Sequence, residues 1–180
     1  MITRKLFLAL GIAVMVFLLF SQGWAQTQPK PGTRAPVITH SYAIEKGRYG
    51  DVVKIFIEAN DPDTDMFRIA VVVDQAGYGR YPADWIYLKP QNRNHFIGYM
   101  EWSTYSSKTI KVREWTQVNI KVSVFDRAGN ESNVVVFPFE FVSEVISNPS
   151  PPAPFNQGNI AKLGNMDVNL FEPAIPLFPD

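Results

Sequence analysis

Asp61, Asp63 and Asp65 occupy alternate positions in the stretch EANDPDTD (58–65), and a second oxygen-rich turn, DRAGNE (126–131), follows later in the 180-residue sequence. Carboxylates and amides on irregular backbone are the donors a calcium ion takes, about six to eight oxygens at a time. If the flanking segments are antiparallel strands, the loops after the second, fourth and sixth strands gather at one pole. That geometry brings Asp126, Asn130 and Glu131 to the end that holds Asp61 and Asp63, and it adds Asp126 to a calcium site. The other reading is a solvated acidic turn, with Asp126 capping its own hairpin through its side chain. An EF-hand is excluded, because the sixth and twelfth positions counted from Asp61 are Met66 and Val72.

A second group of candidates is aromatic. Tyr78, Tyr81, Trp85, Tyr87, Phe96, Tyr99, Trp102 and Tyr105 fall within 28 residues. Exposed Trp and Tyr can stack pyranose rings, and Asn92, Arg93 and Asn94 are near in sequence to supply hydrogen bonds. Tyr and Trp are also enriched in protein interfaces. Against both stands the plain alternative that alternate members fill a β core and the rest cover sheet edges. Tyr78, Tyr81, Trp85, Trp102 and Tyr105 are the interface or ligand candidates of this group.

Catalytic groups are sparse. His40 and His95 are the only histidines, on separate segments, and there is no cysteine. No Gly-x-Ser-x-Gly elbow, HExxH helix or phosphate-cradling glycine loop occurs. The reading is of a protein that is not an enzyme and that carries no cofactor beyond the calcium considered above.

The elements that must position these residues are legible from periodicity. Val118, Ile120, Val122 and Val124 alternate with Gln117, Asn119, Lys121 and Ser123, a period of two that marks a strand with one buried face. After the turn at 126–130, Val135, Phe137, Phe139 and Phe141 form a second such face, so Trp115–Phe141 reads as a β-hairpin with Gly129 or Asn130 free for positive φ. Upstream, strands are predicted at 36–41, 51–59, 67–74, 85–88 and 95–102, with loops at 45–50 and 75–83 and a polar connection at 103–114. Seven antiparallel strands over about 110 residues, without helical period, fit an all-β, two-sheet Greek-key sandwich; a closed barrel satisfies the same pattern. Its core would be Val53, Ile55, Ile57, Ile69, Val71, Val73, Ile120, Val122, Val124, Phe137 and Phe139.

A strand of the form VxIxVxVxD followed by RAGNES and another apolar strand resembles the last hairpin of bacterial immunoglobulin-like, fibronectin-III-like and cadherin-like domains. The turn at 58–65 resembles the A-x-D-P-D-x-D turn of their second and third strands. The resemblance covers roughly residues 35–143, with two departures: Met66 stands where Gly often follows the acidic turn, and Val118 where Tyr is common. It implies a non-enzymatic building block of secreted or surface proteins. From the cadherin-like members it implies calcium ligands at Asp61 and Asp63.

The two ends of the chain differ from the middle. Arg4 and Lys5 precede an apolar run of 15 residues, Leu6–Phe20, followed by Gly23 and Ala25. This is the pattern of a secretory signal peptide over residues 1–25, cut after Ala25; the run is short of the roughly 20 residues of a transmembrane helix. Residues 26–34 read as a polar linker and 35–146 as the sandwich. The destination implied is the periplasm or exterior of a bacterium, with no stable membrane insertion after cleavage. Removal of two basic and no acidic residues from 17 of each leaves a slight negative charge, which offers nothing to nucleic acid. Seven of the 14 prolines fall in 147–180, so neither helix nor sheet can run far there. Yet Phe155, Phe171, Phe178 and other apolar residues space this tail as though it lies on a surface, its own or a partner's. The expected partners are a protein of the cell envelope, docked through the tail, or a carbohydrate.

Overall fold

A computed structural model describes residues 34–110, 112–145 and 149–172. The signal-peptide segment, the linker up to Thr33 and Phe178 lie outside the described residues. No helix among the described residues is long and apolar enough to cross a membrane.

Two sheets face each other. The first contains β1 (Val37–Ala43), β3 (Val52–Asn60), β7 (His95–Ser103) and β10 (Ala161–Met166), in the order β1-β3-β7-β10. The second contains β2 (Lys46–Gly47), β9 (Val135–Phe141), β8 (Gln117–Asp126), β4 (Met66–Gln75) and β5 (Gly79–Arg80), with β6 (Asp84–Tyr87) also paired to β4. A short 3₁₀ turn, Pro90–Asn92, joins β6 to β7. Period-two alternation explains the layers directly. Val53, Ile55, Ile57 and Ala59 of β3 all point inward, opposite Ile69, Val71 and Val73 of β4 and Ile120, Val122 and Val124 of β8, and all are buried. Every residue of the core read from the sequence is buried here. Each such side chain contributes about 1.5–3 kcal/mol by leaving water. The sheets stay open, and the barrel is not formed.

Each of the seven strands read from the sequence has a counterpart, and β2, β5 and β10 bring the number among the described residues to ten. The all-antiparallel expectation is corrected. β2 runs parallel to β9, and β10 runs parallel to β7. The short strand β2 forms where Ile44 and Glu45 carry the chain from the first sheet across to the second, so it continues in the direction of β1 and meets β9 from the parallel side. The strand β10 comes from the Pro-rich tail, which returns to the free edge of β7 after a long excursion.

That return is permitted by two glycines. A Cβ on Gly98 of β7 would lie 2.5 Å from Cγ of Leu163, and one on Gly164 would lie 2.6 Å from Ile86 Cγ2. Both gaps are far below van der Waals contact, so a Cβ at either position would force the Leu163 or the Ile86 side chain to shift where β10 bulges at Leu163 and lodges between β7 and β6. Beyond it Met166, Val168 and Leu170 enter the core. Ahead of it Phe155 is buried on the outer face of the first sheet, its ring 5.5 Å from that of Phe56.

Candidate functional site

The acidic pole comes together as the strand order requires. Asp61 is buried, and its two carboxylate oxygens accept the backbone N–H groups of Asp63 and Asp65, each at 3.0 Å. Asp63 accepts the backbone N–H of Arg34. The carboxylate of Asp126, also buried, accepts from the backbone and side-chain nitrogens of Asn130 at 2.8 and 2.7 Å. These are turn-capping bonds: short side chains satisfy the N–H groups that the tight turn leaves over. Asp65 differs from its neighbours, because its Oδ1 is buried and finds no hydrogen-bond partner. Burial, the hydrogen bond with Asp61 and the charge of Asp126 push its pKa up to about 6. Among the described residues no group of three or more His, Asp or Glu side chains is arranged to hold a metal ion. Asp61 and Asp126 each give their oxygens to N–H groups of their own turns.

The aromatic candidates separate into different places. Trp102 and Tyr81, read as interface or ligand residues, are instead interior. Trp102 falls on the inward positions of β7 and meets Phe139 and Phe141 edge to face. Burial of Tyr81 follows from the tail above it. Trp85 lies on the outer face of the second sheet, covered by the Arg68 guanidinium 3.9 Å from its ring and flanked by Phe125. Arg93 and Asn94 stand at the acidic pole, where their carbonyls accept from Met66 and Asp61. They are therefore at the opposite end of the sandwich from Tyr78 and Tyr105. Phe155 is covered, as described above, and does not face outward.

At the opposite pole the tail is tied down. Phe171 stacks on Tyr78 and Tyr81, with near-parallel rings. The Gln75 side chain donates to the Phe171 carbonyl at 2.7 Å, Tyr81 Oη donates to Gln75 Oε1, and the Phe171 N–H donates to Tyr81 Oη at 2.9 Å. Burial raises the Tyr81 pKa above its ordinary value. Ser106 Oγ donates to the Leu170 carbonyl at 2.6 Å, and Glu172 meets the Arg113 guanidinium at 2.8 Å.

Beside these ties the connection from β7 to β8 presents apolar side chains to water. Ile110 is 92% exposed, Trp115 72% and Tyr105 63%, and Val145 on the neighbouring exit from β9 is 82% exposed. Trp115 has φ +65°, a conformation a bulky residue rarely takes. Its N–H donates to the Phe141 carbonyl at 2.7 Å, which holds the turn in place. Sequence reasoning missed Ile110 and Trp115 as surface residues. The available signal was a large apolar side chain in an otherwise polar connection, with no period to assign it a buried face.

One polar constellation was also missed. The chain's two histidines meet one carboxylate: His40 Nδ1 lies 2.7 Å and His95 Nε2 3.0 Å from the two oxygens of Glu58. Strands β1, β3 and β7 place all three on the outer face of the first sheet. Burial pushes the Glu58 pKa up, but the hydrogen bonds to His95 and His40 outweigh it and hold the carboxyl below its usual range.

This architecture defines the class: an all-β sandwich of two facing sheets. No family model matches the chain, and no curated protein does so. Among solved structures it is similar to the PKD domain of an M14-like peptidase from a Thermoplasmatales archaeon, with 12% identity, 62% of this chain and 100% of that one covered, and a TM-score of 0.38. It is also similar to the fibronectin(III)-like modules of Clostridium thermocellum CbhA, at 15% identity and a TM-score of 0.38; 64% of this chain is covered and about half, 52%, of that one. A third is the CARDB domain of a Pyrococcus furiosus protein, in complex with di-metal ions, at 9% identity, 67% and 100% coverage and a TM-score of 0.35.

Proposed function

We propose that the chain is a non-enzymatic module of the bacterial envelope, exported by residues 1–25 and bound to a protein partner through the pole that carries Trp115. The observation behind this reading is the group Tyr105, Ile110, Trp115 and Val145, exposed together at one end of the sandwich. Large apolar side chains left in water at one end of a fold weaken solubility, and where they persist they mark a contact surface. Trp and Tyr in such a patch are the residue types that dominate binding energy in protein interfaces. The positive φ at Trp115 adds to the argument, since strain held at an exposed aromatic does nothing for the core. The histidines stand against Glu58 on the outer face of the first sheet, away from that patch, and no cysteine is available as a nucleophile.

The test uses a photo-crosslinking residue at position 115 in the mature chain, in cells of the native host. A discrete adduct, absent when the same residue is placed at Val136 on the second sheet and lost in Ile110→Ser, supports the reading; adducts that do not depend on position refute it. Fusion of residues 1–25 to a reporter, with cleavage mapped by mass spectrometry, tests export and predicts a mature start at Gln26.

A further inference from the structure

Before it becomes β10, the tail passes over the outer face of the first sheet and leaves a groove there. Lys54 and Phe56 alternate with the inward Val53, Ile55 and Ile57, so both face away from the core. Direct cross-strand pairing sets Tyr42 of β1 and Tyr99 of β7 on either side of Phe56. The three rings make one row, with centroids 6.2 and 5.6 Å apart. Phe155 closes on the middle of that row, held in a turn where its N–H donates to the Pro152 carbonyl at 2.8 Å. With Pro149 and Pro151 these rings wall a concavity of about 540 Å³. That volume falls within the roughly 300–1,000 Å³ of small-molecule sites. A stable protein contact instead covers about 800 Å² of each partner.

The charge of the groove is one-sided. Lys54 is the one charged residue among its walls, with its ammonium 4.6 Å from the centre of the Tyr99 ring. The acid paired across from it on β7, Glu101, is engaged by the Lys162 ammonium instead. Among the described residues no carboxylate pairs with Lys54. A lone cation at an apolar hollow favours a ligand that brings one negative charge. Rings and prolines offer flat apolar faces, and a flat body meets them without the entropy that a flexible chain loses on ordering. We propose that this groove binds a small carboxylate with an aromatic body, the ring system lodged among Tyr42, Tyr99 and Phe155 and the carboxylate on Lys54 Nζ. The proposal does not depend on the contact surface at Trp115, which shares no residue with these walls.

The experiment titrates the purified protein with naphthoate and with its neutral counterpart, naphthamide, followed by proton–nitrogen correlation NMR. Naphthoate is expected to shift the amides of Lys54, Tyr99 and Gly158 to saturation in the millimolar range. Naphthamide should bind the same place about three- to fivefold more weakly, the contribution of a partly exposed ion pair. Lys54→Met should weaken naphthoate by that factor and leave naphthamide unaffected, and Lys54→Arg should restore most of the difference. Lys54 is exposed, so neither substitution disturbs the core. Shifts that do not saturate, or that fall outside the groove, overturn the proposal. Equal affinity for the two ligands removes the carboxylate from it and overturns it in favour of an unselective apolar surface. Shifts of the same amides with protein concentration alone, abolishing the response to naphthoate, overturn it in favour of a second copy as the occupant.

Discussion

The two ends of the sandwich leave the same physical problem, turns that must leave a sheet, and meet it with opposite chemistry. At the end of β3 and β8 the turns are closed from within: Asp61 and Asp126 supply acceptors to their own loops. At the end of β7 and β9 closure comes from a distant part of the sequence, 149–172, while Tyr105, Ile110, Trp115 and Val145 remain outside. An end that satisfies itself has little to offer a partner. An end that depends on a far segment of the chain has groups to spare, and it is there that function is proposed.

The largest effects should come from the tail's insertion. Leu170 is fully buried, so Leu170→Ala is expected to cost about 2–5 kcal/mol. Gly98→Ala should destabilise as well, because the added Cβ would lie 2.5 Å from Leu163 Cγ and force that side chain to move. Urea unfolding of both variants checks this. If either matches the parent within about 0.5 kcal/mol, the tail is an appendage, and the contrast between the poles loses one side.

Next in size is the cap at the acidic pole. Asp61→Ala leaves two backbone N–H groups without their acceptor in a half-buried turn, which should cost about 1–3 kcal/mol in the same experiment. Loss well below this range would mean that solvent replaces the carboxylate easily, and that the pole is less closed than its hydrogen bonds suggest.

Much of this was legible in the sequence, and the reason is the strand period. Alternation at 53–59, 69–73 and 118–124 fixes which side chains face inward whatever their partners are, so the core and both layers could be read in advance. The gathering of Asp61, Asp63, Asp65 and Asp126 at one end follows from counting antiparallel strands. What could not be read depends on distant pairing. Nothing local in AKLGNM distinguishes a strand from a tail; it becomes one because Gly98 leaves space for Leu163. Tyr81 looked available because the residue that buries it, Phe171, is 90 positions away. His40, Glu58 and His95 likewise meet only through the register of three strands.

A smaller effect tests the charge at the closed pole. Asp65 has its folded pKa raised to about 6 from an ordinary value of 3.8. The fold therefore favours the protonated form, and this stabilisation is complete below about pH 4 and lost as pH rises through about 6. Asp65→Asn should raise Tm by a few degrees at pH 7.5 and leave it unchanged near pH 3.5, as scanning calorimetry at the two pH values would show. Calcium offers a parallel check, since an ion bound at this turn would relieve the same repulsion. Because Asp61 and Asp126 are already committed, millimolar calcium is expected to leave Tm unmoved, and a rise reversed by chelator would reopen the site.

The smallest effect is the most discriminating, because stability and binding should part there. Trp115 holds φ +65° with most of its surface in water. Trp115→Gly removes a left-handed penalty of about 1–2 kcal/mol for a residue with a Cβ. The substitution also frees the unfolded chain, which returns about 0.5–1 kcal/mol of that gain. Net stability should therefore change by no more than about 1 kcal/mol, in the direction of a more stable protein. A structural role for the ring predicts the opposite sign, since its packing would be lost. If the variant is as stable as the parent or more so, and in the native host no longer co-purifies with the partner identified through position 115, Trp115 is kept for what lies outside the fold.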